Sequence, residues 1–376
     1  MKIVVLREKQ AGEDRVALMP ESIRKLIALK AEVLIESGAG SGASRSDTDF
    51  GEAGAKISSD RNELLSQADV LVTVNRPDAE DLKSLKTGAV VLGFLKPLDE
   101  PAALKPAVES GLTTFAMELV PRITRAQSMD ALSSMATVAG YKAVIVAAER
   151  LSRMFPLLMT AAGTVPPAKV LVLGAGVAGL QAIATARRLG AVVEAYDVRK
   201  AAGEQVRSLG ANFLEVDLGG LKTEDAGGYA VELSEEALER GRQLIASHAQ
   251  TNDVVITTAQ VPGRRAPLLL TEEAVKGMKP GSIIVDLAGS TGGNCALSKP
   301  GESIDVNGVT IFTPLNLPGT VPVHASQLYS RNVTAFLSPL IKDGELKIDM
   351  ADDVVGPSCV THQGQWVNQR VAAAAG

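Results

Sequence analysis

Through the first 120 residues, short apolar runs rich in β-branched side chains alternate with segments whose apolar residues recur at helical spacing. Lys2–Leu6, Ala31–Glu36, Val70–Val74, Ala89–Phe94 and Leu112–Ala116 read as strands. Between them Pro20 can open a helix at its first position, with Ile23, Leu26 and Ile27 on one face. Asp60–Ser66, Ala79–Leu85 and Pro101–Val108 follow the same pattern. This alternation predicts a parallel sheet covered by helices. From Gln127 to about Arg153 the only Gly or Pro is Gly140, and Met, Ala, Val and Ile predominate. A long, mostly buried helix is expected there, acting as a rigid connector between two domains with a cleft beside it. A second α/β series follows. Its strands are Val170–Leu173, Val192–Tyr196, Asn212–Val216, Asp253–Thr257, Ser282–Asp286 and Val309–Phe312, and its helices are Ala178–Leu189, Ala201–Leu209, Glu235–Ala249 and Thr271–Met278. Ala325–Ile341 reads as one more helix, expected to pack back on the first domain.

Composition narrows the function classes. With 376 residues the chain is long enough for about two domains, at roughly 150 residues each. Hydrophobic residues at 46% and charged ones at 22% exclude wholesale disorder. The net charge is 38 − 43 = −5, without a basic block, which argues against nucleic acid as a partner. Cys295 and Cys359 form no C-x-x-C pair, so neither a disulfide framework nor a closed zinc site is expected, and the compartment is read as reducing. Lys2–Leu6 runs straight into Arg7-Glu8-Lys9, unlike a signal peptide, and no run of 18 apolar residues predicts a membrane span.

The strongest motif is Gly174-Ala175-Gly176-Val177-Ala178-Gly179, a G-x-G-x-x-G placed directly after the strand Val170–Leu173 and opening a helix. The next strand delivers Asp197 at 197 − 179 = 18 residues beyond the third glycine, completing a dinucleotide-binding fingerprint. Gly174 permits the tight turn, Gly176 lets the backbone approach a pyrophosphate, and Gly179 lets helix and strand pack closely. The helix N-terminus supplies N–H groups and positive partial charge. Asp197 can accept from both ribose hydroxyls, each charge-assisted bond contributing on the order of 1.5–3 kcal/mol. A 2′-phosphate would meet like charge there, so NAD(H) is favoured over NADP(H), with Arg199 a weak counter-argument.

A second polar constellation lies at the start of the expected connector helix. Gln127, Asp130 and Ser133 are spaced by three, which on a helix makes one polar stripe, and Arg122 lies just before them. Facing the cleft, this stripe could hold a carboxamide such as that of nicotinamide. An ordinary capping pattern with Thr124 or Ser128 as the cap explains the same residues equally well. The three histidines, His248, His324 and His362, belong to no triad or metal pattern. Oxidation of an alcohol or amine needs a base, whereas hydride transfer between two nicotinamides needs none. Finally, Asp217–Ala230 carries paired glycines at both ends and little apolar content, the composition of a mobile lid that could place Tyr229 over a bound base. A passive surface loop fits that composition as well.

Taken together, these segments resemble the NAD(H)-binding alpha subunit, domain I, of proton-translocating nicotinamide nucleotide transhydrogenases. The resemblance runs from Arg7-Glu8 and Glu13–Ala17 to about Cys359, and is most specific at Met117–Asp130, Thr160–Ala168 and the Gly227-Gly228-Tyr229-Ala230 loop. It implies an α/β fold of two Rossmann-like, doubly wound parallel-sheet domains joined by long helices. The first domain would comprise 1–131 plus 317–376 and the NAD(H)-binding one 132–316. It implies that Arg122, Gln127, Asp130, Ser133 and Tyr229 serve hydride transfer. The cofactor would be held by Gly174, Gly176, Val177, Gly179, Asp197, Val198, Arg199, Gly228, Ala259 and Leu287. It further implies a homodimer, NADP(H) on a partner subunit, and a membrane-spanning subunit coupling transfer to proton movement. The chain itself would be cytoplasmic and peripheral on the inner membrane through those partners. The transfer mechanism would be positional, with reacting carbons held about 3–3.5 Å apart and water excluded.

Two other readings remain open at this point. Alanine dehydrogenase resembles the chain in the Arg15 neighbourhood, but the positions matching its Lys, His and Asp are Asn75, Lys96 and Ser290 here. Lys96 could still act as a base if desolvated. A non-catalytic NAD-sensing module would use the same fingerprint without needing Arg122, Gln127 and Asp130.

Overall fold

Strand Lys2–Val5 is apolar at three consecutive fully buried positions because both faces of its sheet are covered. The computed structural model of the chain describes residues 1–216, 234–261 and 263–375. These fall into two units, Met1–Met135 with Pro318–Gly376, and Ala136–Leu317.

In unit 1, Lys2–Val5 is flanked on one side by Glu32–Glu36 and then Lys56–Ser58, on the other by Val70–Asn75, Val90–Phe94 and Thr113–Ala116, all parallel. The order is that of a doubly wound sheet, with its reversal beside the first strand. Two antiparallel strands near the C-terminus, Cys359–His362 and Gln365–Trp366, extend the edge beyond Thr113–Ala116. Helix Pro322–Leu337 also belongs to this unit. Its Ser326 and Ser330 hydroxyls accept from the Val16 and Met19 N–H groups, and buried Tyr329 donates to the Thr73 carbonyl at 2.7 Å.

Unit 2 repeats the plan. Lys169–Leu173 is central, with Val192–Tyr196 and Asn212–Leu214 on one side and Val254–Thr257, Ile283–Asp286 and Val309–Phe312 on the other, all parallel. Ser303–Val306 closes the edge antiparallel to Val309–Phe312. The expected connector helix runs Ala131–Arg150 instead of from Gln127 to about Arg153, because Thr124–Met129 is a 3-10 segment and Asp130 breaks the helical path at ψ 82. By length and composition this helix is apolar enough to cross a membrane. Packing is one cause of that character, since Ala143, Val144 and Ala147 are buried in unit 2 against Ala182, Ile183 and Val193. Gly140 has a local reason: a Cβ there would meet the Ala178 carbonyl oxygen at 2.1 Å.

The strands Lys56–Ser58, Leu158–Thr160 and Gly163–Val165 were not expected from the sequence. Each has three residues, and all six of the Leu158–Val165 hairpin strand residues are exposed, so no apolar alternation marks them.

Burial in unit 1 has a measurable electrostatic consequence. Glu8 accepts from the Val74 and Asn75 N–H groups, yet its loss of hydration pushes its carboxyl up to about 7. Glu118 accepts from the Leu95 and Lys96 N–H groups through Oε1, while its buried Oε2 has no hydrogen-bond partner; burial pushes it to about 7 as well. The folded chain therefore keeps protons that the unfolded chain releases above its ordinary carboxyl range near 4.5. The contribution of these two groups to stability should be fullest below about 4.5, fall as pH rises to about 7, and level off above. Each group contributes on the order of 1–3 kcal/mol to that fall. Thermal melts at pH 5.5 and 8 are expected to show a lower midpoint at pH 8, with a smaller drop in Glu118→Gln. An equal drop in both proteins would dismiss Glu118 as a source.

Candidate dinucleotide site

Strand Lys169–Leu173 ends at Gly174, whose φ of 99° lies in the left-handed region that favours glycine. The helix Val177–Arg188 starts from Gly176 in extended backbone with no side-chain cap, so its first N–H groups have no side-chain acceptor at the cap. A Cβ on Gly176 would meet nothing within 4 Å, whereas one on Gly179 would lie 1.8 Å from the Gly174 carbonyl oxygen. The two glycines thus differ in purpose: one leaves clear space before the helix, the other allows contact between helix and turn. Val177, 40% exposed, stands at the first helical position beside that space.

Asp197 lies just past strand Val192–Tyr196, its side chain 7% exposed. Oδ2 accepts from the Ala175 N–H at 2.7 Å and Arg199 Nη2 at 2.9 Å; Oδ1 accepts from Arg199 N and Nε, both at 2.9 Å. A carboxylate offers about four lone-pair positions, and all are taken. Asp197 therefore holds the glycine turn, and a ribose hydroxyl would have to displace some of the Arg199 bonds. Val198 packs on the side of the core formed by Leu171, Tyr196 and Val255. Ala259 follows strand Val254–Thr257, and Leu287 follows strand Ile283–Asp286, so both sit with Gly174 at the carboxyl ends of the parallel strands. Gly228 and Tyr229 lie outside the described residues.

The polar segment before the long helix is arranged differently from a helical stripe. Asp130 is the cap: Oδ1 accepts from the Ser133 N–H at 2.8 Å and Oδ2 from the Ser133 hydroxyl at 2.6 Å. Thus Asp130 and Ser133 meet, whereas Gln127 sits in the 3-10 segment and, like Arg122, is exposed. The cap is neither Thr124 nor Ser128. Arg125 anchors the segment on Asp352 and Asp353, and holds the Asp352 carboxyl down at about 2.

The positions that matter for amino acid chemistry are engaged otherwise. Asn75 donates to Glu13 and Glu8, and Glu13 forms a buried pair with Arg15 at 2.5 Å. The Lys96 side chain is 54% exposed and lies 3.7 Å from Glu100, so it is not a desolvated amine. Ser290 is exposed. His248 bonds Glu194, and His362 bonds the Thr113 hydroxyl. Sequence reasoning missed Asp286, Asn294, Thr258 and Gln260, which tie the strand ends of unit 2 together. The local signal was slight: single polar residues, Thr258 and Gln260 after strand Val254–Thr257 and Asp286 closing strand Ile283–Asp286.

A doubly wound sheet with a glycine turn, an open helix start and an acid at the second strand defines an α/β protein of the Rossmann-like, dinucleotide-binding class. The family profile described as the alanine dehydrogenase/PNT N-terminal domain matches residues 4–139, and that of the C-terminal domain matches 143–369. A protein of Rhodospirillum rubrum, named as the first portion of an NAD(P) transhydrogenase subunit alpha, is 48% identical, over 98% of each chain. A crystal structure of transhydrogenase from Sinorhizobium meliloti is 45% identical with a TM-score of 0.89, covering 98% of this chain and 100% of that one. An alanine dehydrogenase of Mycobacterium tuberculosis is 30% identical over 99% of this chain and 96% of its own. The chain belongs to the alanine dehydrogenase/PNT family and, within it, groups with the NAD(P) transhydrogenase alpha subunits.

Proposed function

We propose that the chain is the NAD(H)-binding component of a proton-translocating transhydrogenase. It works as a homodimer on the cytoplasmic side of the inner membrane, with NADP(H)-binding and membrane-spanning partner subunits. The observation that carries the reading is the turn Gly174–Gly179 with Asp197 bonded into it, together with 48% identity to a transhydrogenase alpha-subunit protein over nearly the whole chain. The fit to NADH is favourable on the chain's own geometry, since Gly176 leaves room for a pyrophosphate before an uncapped helix start. Bound NADH supplies the hydride, and NADP⁺ on the partner accepts it.

In this reading the chain's residues bind and orient; none has to move a proton. Asp197 takes the ribose hydroxyls as Arg199 yields. Asp130, held by Ser133, keeps a fixed acceptor at the helix start, and Arg122 and Gln127 present polar groups to the nicotinamide carboxamide. The half-exposed Lys96 and the engaged Asn75 speak against alanine dehydrogenase chemistry.

The test measures NADH oxidation by the purified chain, with an NADP(H)-binding transhydrogenase component plus NADP⁺, and alone with pyruvate and ammonium. Oxidation only with the partner supports the proposal; oxidation alone with pyruvate and ammonium replaces it with an amino acid dehydrogenase. Asp130→Asn keeps an oxygen for the Ser133 N–H and is expected to slow transfer about tenfold or more, ~1.4 kcal/mol on the barrier, with NADH affinity little changed. An unaltered transfer rate would remove Asp130 from the mechanism.

A further inference from the structure

Ala259 and Leu287 stand where a dinucleotide fold receives its ligand, yet their main-chain polar groups are already engaged. The Ala259 N–H donates to Asn294 Oδ1 at 3.0 Å, and its carbonyl accepts from Asn294 Nδ2 at 2.9 Å. The other Nδ2 hydrogen goes to the Pro267 carbonyl at 2.8 Å. One fully buried side-chain amide therefore grips one residue at both its N–H and its C=O, as a neighbouring strand would. At Leu287 the N–H donates to the Thr257 carbonyl at 3.0 Å, and the carbonyl accepts from Gln260 Nε2 at 2.9 Å. With both N–H groups spent and each carbonyl already accepting one bond, what these residues chiefly offer a ligand is carbon: a methyl and an isobutyl group.

Asn294 is anchored in turn. The fully buried Asp286 carboxylate accepts from the Asn294 N–H at 2.8 Å, the Cys295 N–H at 3.1 Å and the Ser298 hydroxyl at 2.6 Å through Oδ2. Its Oδ1 accepts from the Thr257 hydroxyl at 2.8 Å and the Ala288 N–H at 3.0 Å. Five donors on one carboxylate lock the 286–298 loop to the strand end. Thr258 joins this lattice to the glycine turn by donating to the Gly174 carbonyl at 3.0 Å. A buried polar network satisfied to this degree specifies one arrangement, because any displacement leaves desolvated groups unpaired.

We propose that Asn294 is a positioning residue of the dinucleotide site, acting through Ala259, with Asp286 as its anchor. Its carboxamide sets where the chain leaves strand Val254–Thr257, and so where the apolar surface of Ala259 meets the cofactor. The ligand group that such a surface suits is the carbon face of a ring or ribose, since the phosphates belong at the uncapped helix start. The inference rests on the NADH-binding reading above.

The experiment measures NADH dissociation constants by titration calorimetry and thermal midpoints on the same full-length preparations. In Asn294→Asp one oxygen still accepts from the Ala259 N–H, while the other faces two carbonyls and is repelled. Asn294→Ser keeps a smaller hydrogen-bonding group and serves if the first variant fails to fold. Val170→Ala, near the amino end of strand Lys169–Leu173 and buried in a core cluster that does not include Ala259, controls for loss of stability alone. NADH Kd is expected to rise tenfold or more in the Asn294 variants and to stay within twofold in Val170→Ala at an equal or greater midpoint loss. Wild-type affinity in the foldable Asn294 variants, or an equal affinity loss in the control, overturns the positioning role while leaving NADH binding intact. A wild-type chain that does not bind NADH overturns both readings.

Discussion

Gly179→Ala is expected to cost the chain both stability and NADH affinity, whereas Gly176→Ala should cost affinity alone. A Cβ at Gly179 falls 1.8 Å from the Gly174 oxygen and 2.8 Å from its carbon, distances that real Cβ contacts essentially never show. The neighbour is backbone, so helix Val177–Arg188 must back away from the turn. Overpacking of this kind costs about 1–3 kcal/mol or more. The same displacement moves the helix start relative to the turn, and NADH Kd should rise about a hundredfold, ~2.7 kcal/mol. At Gly176, with φ −78° and nothing within 4 Å of a Cβ, alanine fits the folded chain. Its methyl enters only the clear space before the helix, so the thermal midpoint should hold or rise slightly while affinity falls. Calorimetric titration and melts on the two variants separate the roles; unchanged NADH affinity in Gly176→Ala would mean that the space is not used.

Asp197→Ala should weaken NADH binding by tenfold to a hundredfold, about 1.4–2.7 kcal/mol. Two effects add. The ribose loses a charged acceptor, and the Ala175 N–H, which Asp197 engages at 2.7 Å, loses the bond that holds the turn. Removing the carboxylate also releases Arg199 from its three bonds to Asp197, leaving a guanidinium where like charge stood. The ratio of NADPH to NADH affinity should therefore rise. Dissociation constants for both dinucleotides in both proteins test this, and an unchanged ratio would mean that Asp197 does not discriminate at the 2′-position.

Local signals were legible wherever one segment carries its own geometry. The continuous apolar runs of unit 1 identify five of its six parallel strands, because burial on both faces leaves stretches such as Val70–Val74 without alternation, while Lys56–Ser58 carries no such run. The glycine turn was equally readable, since a left-handed φ at Gly174 and a close approach at Gly179 each require glycine on local grounds. The start of the long helix was misread for a related reason. Spacing by three fits both a helical stripe and a cap, and only the bonds from Ser133 to the Asp130 side chain distinguish the two.

The amino-acid sequence by itself determined the layer pattern, the strand–turn–helix and the acid that follows it, all of which depend on residues near one another in the chain. The tertiary structure decided the rest. Arg199 folds back over Asp197, which occupies the acceptor positions that spacing alone leaves open. Asn294 reaches Ala259 across 35 residues, and Tyr329 reaches Thr73 across 256. Partners so distant are set by strand order and register, where a shift of one residue turns every side chain to the opposite face. No local pattern encodes that choice, which is why the polar lattice beneath the strand ends became visible only in the folded chain.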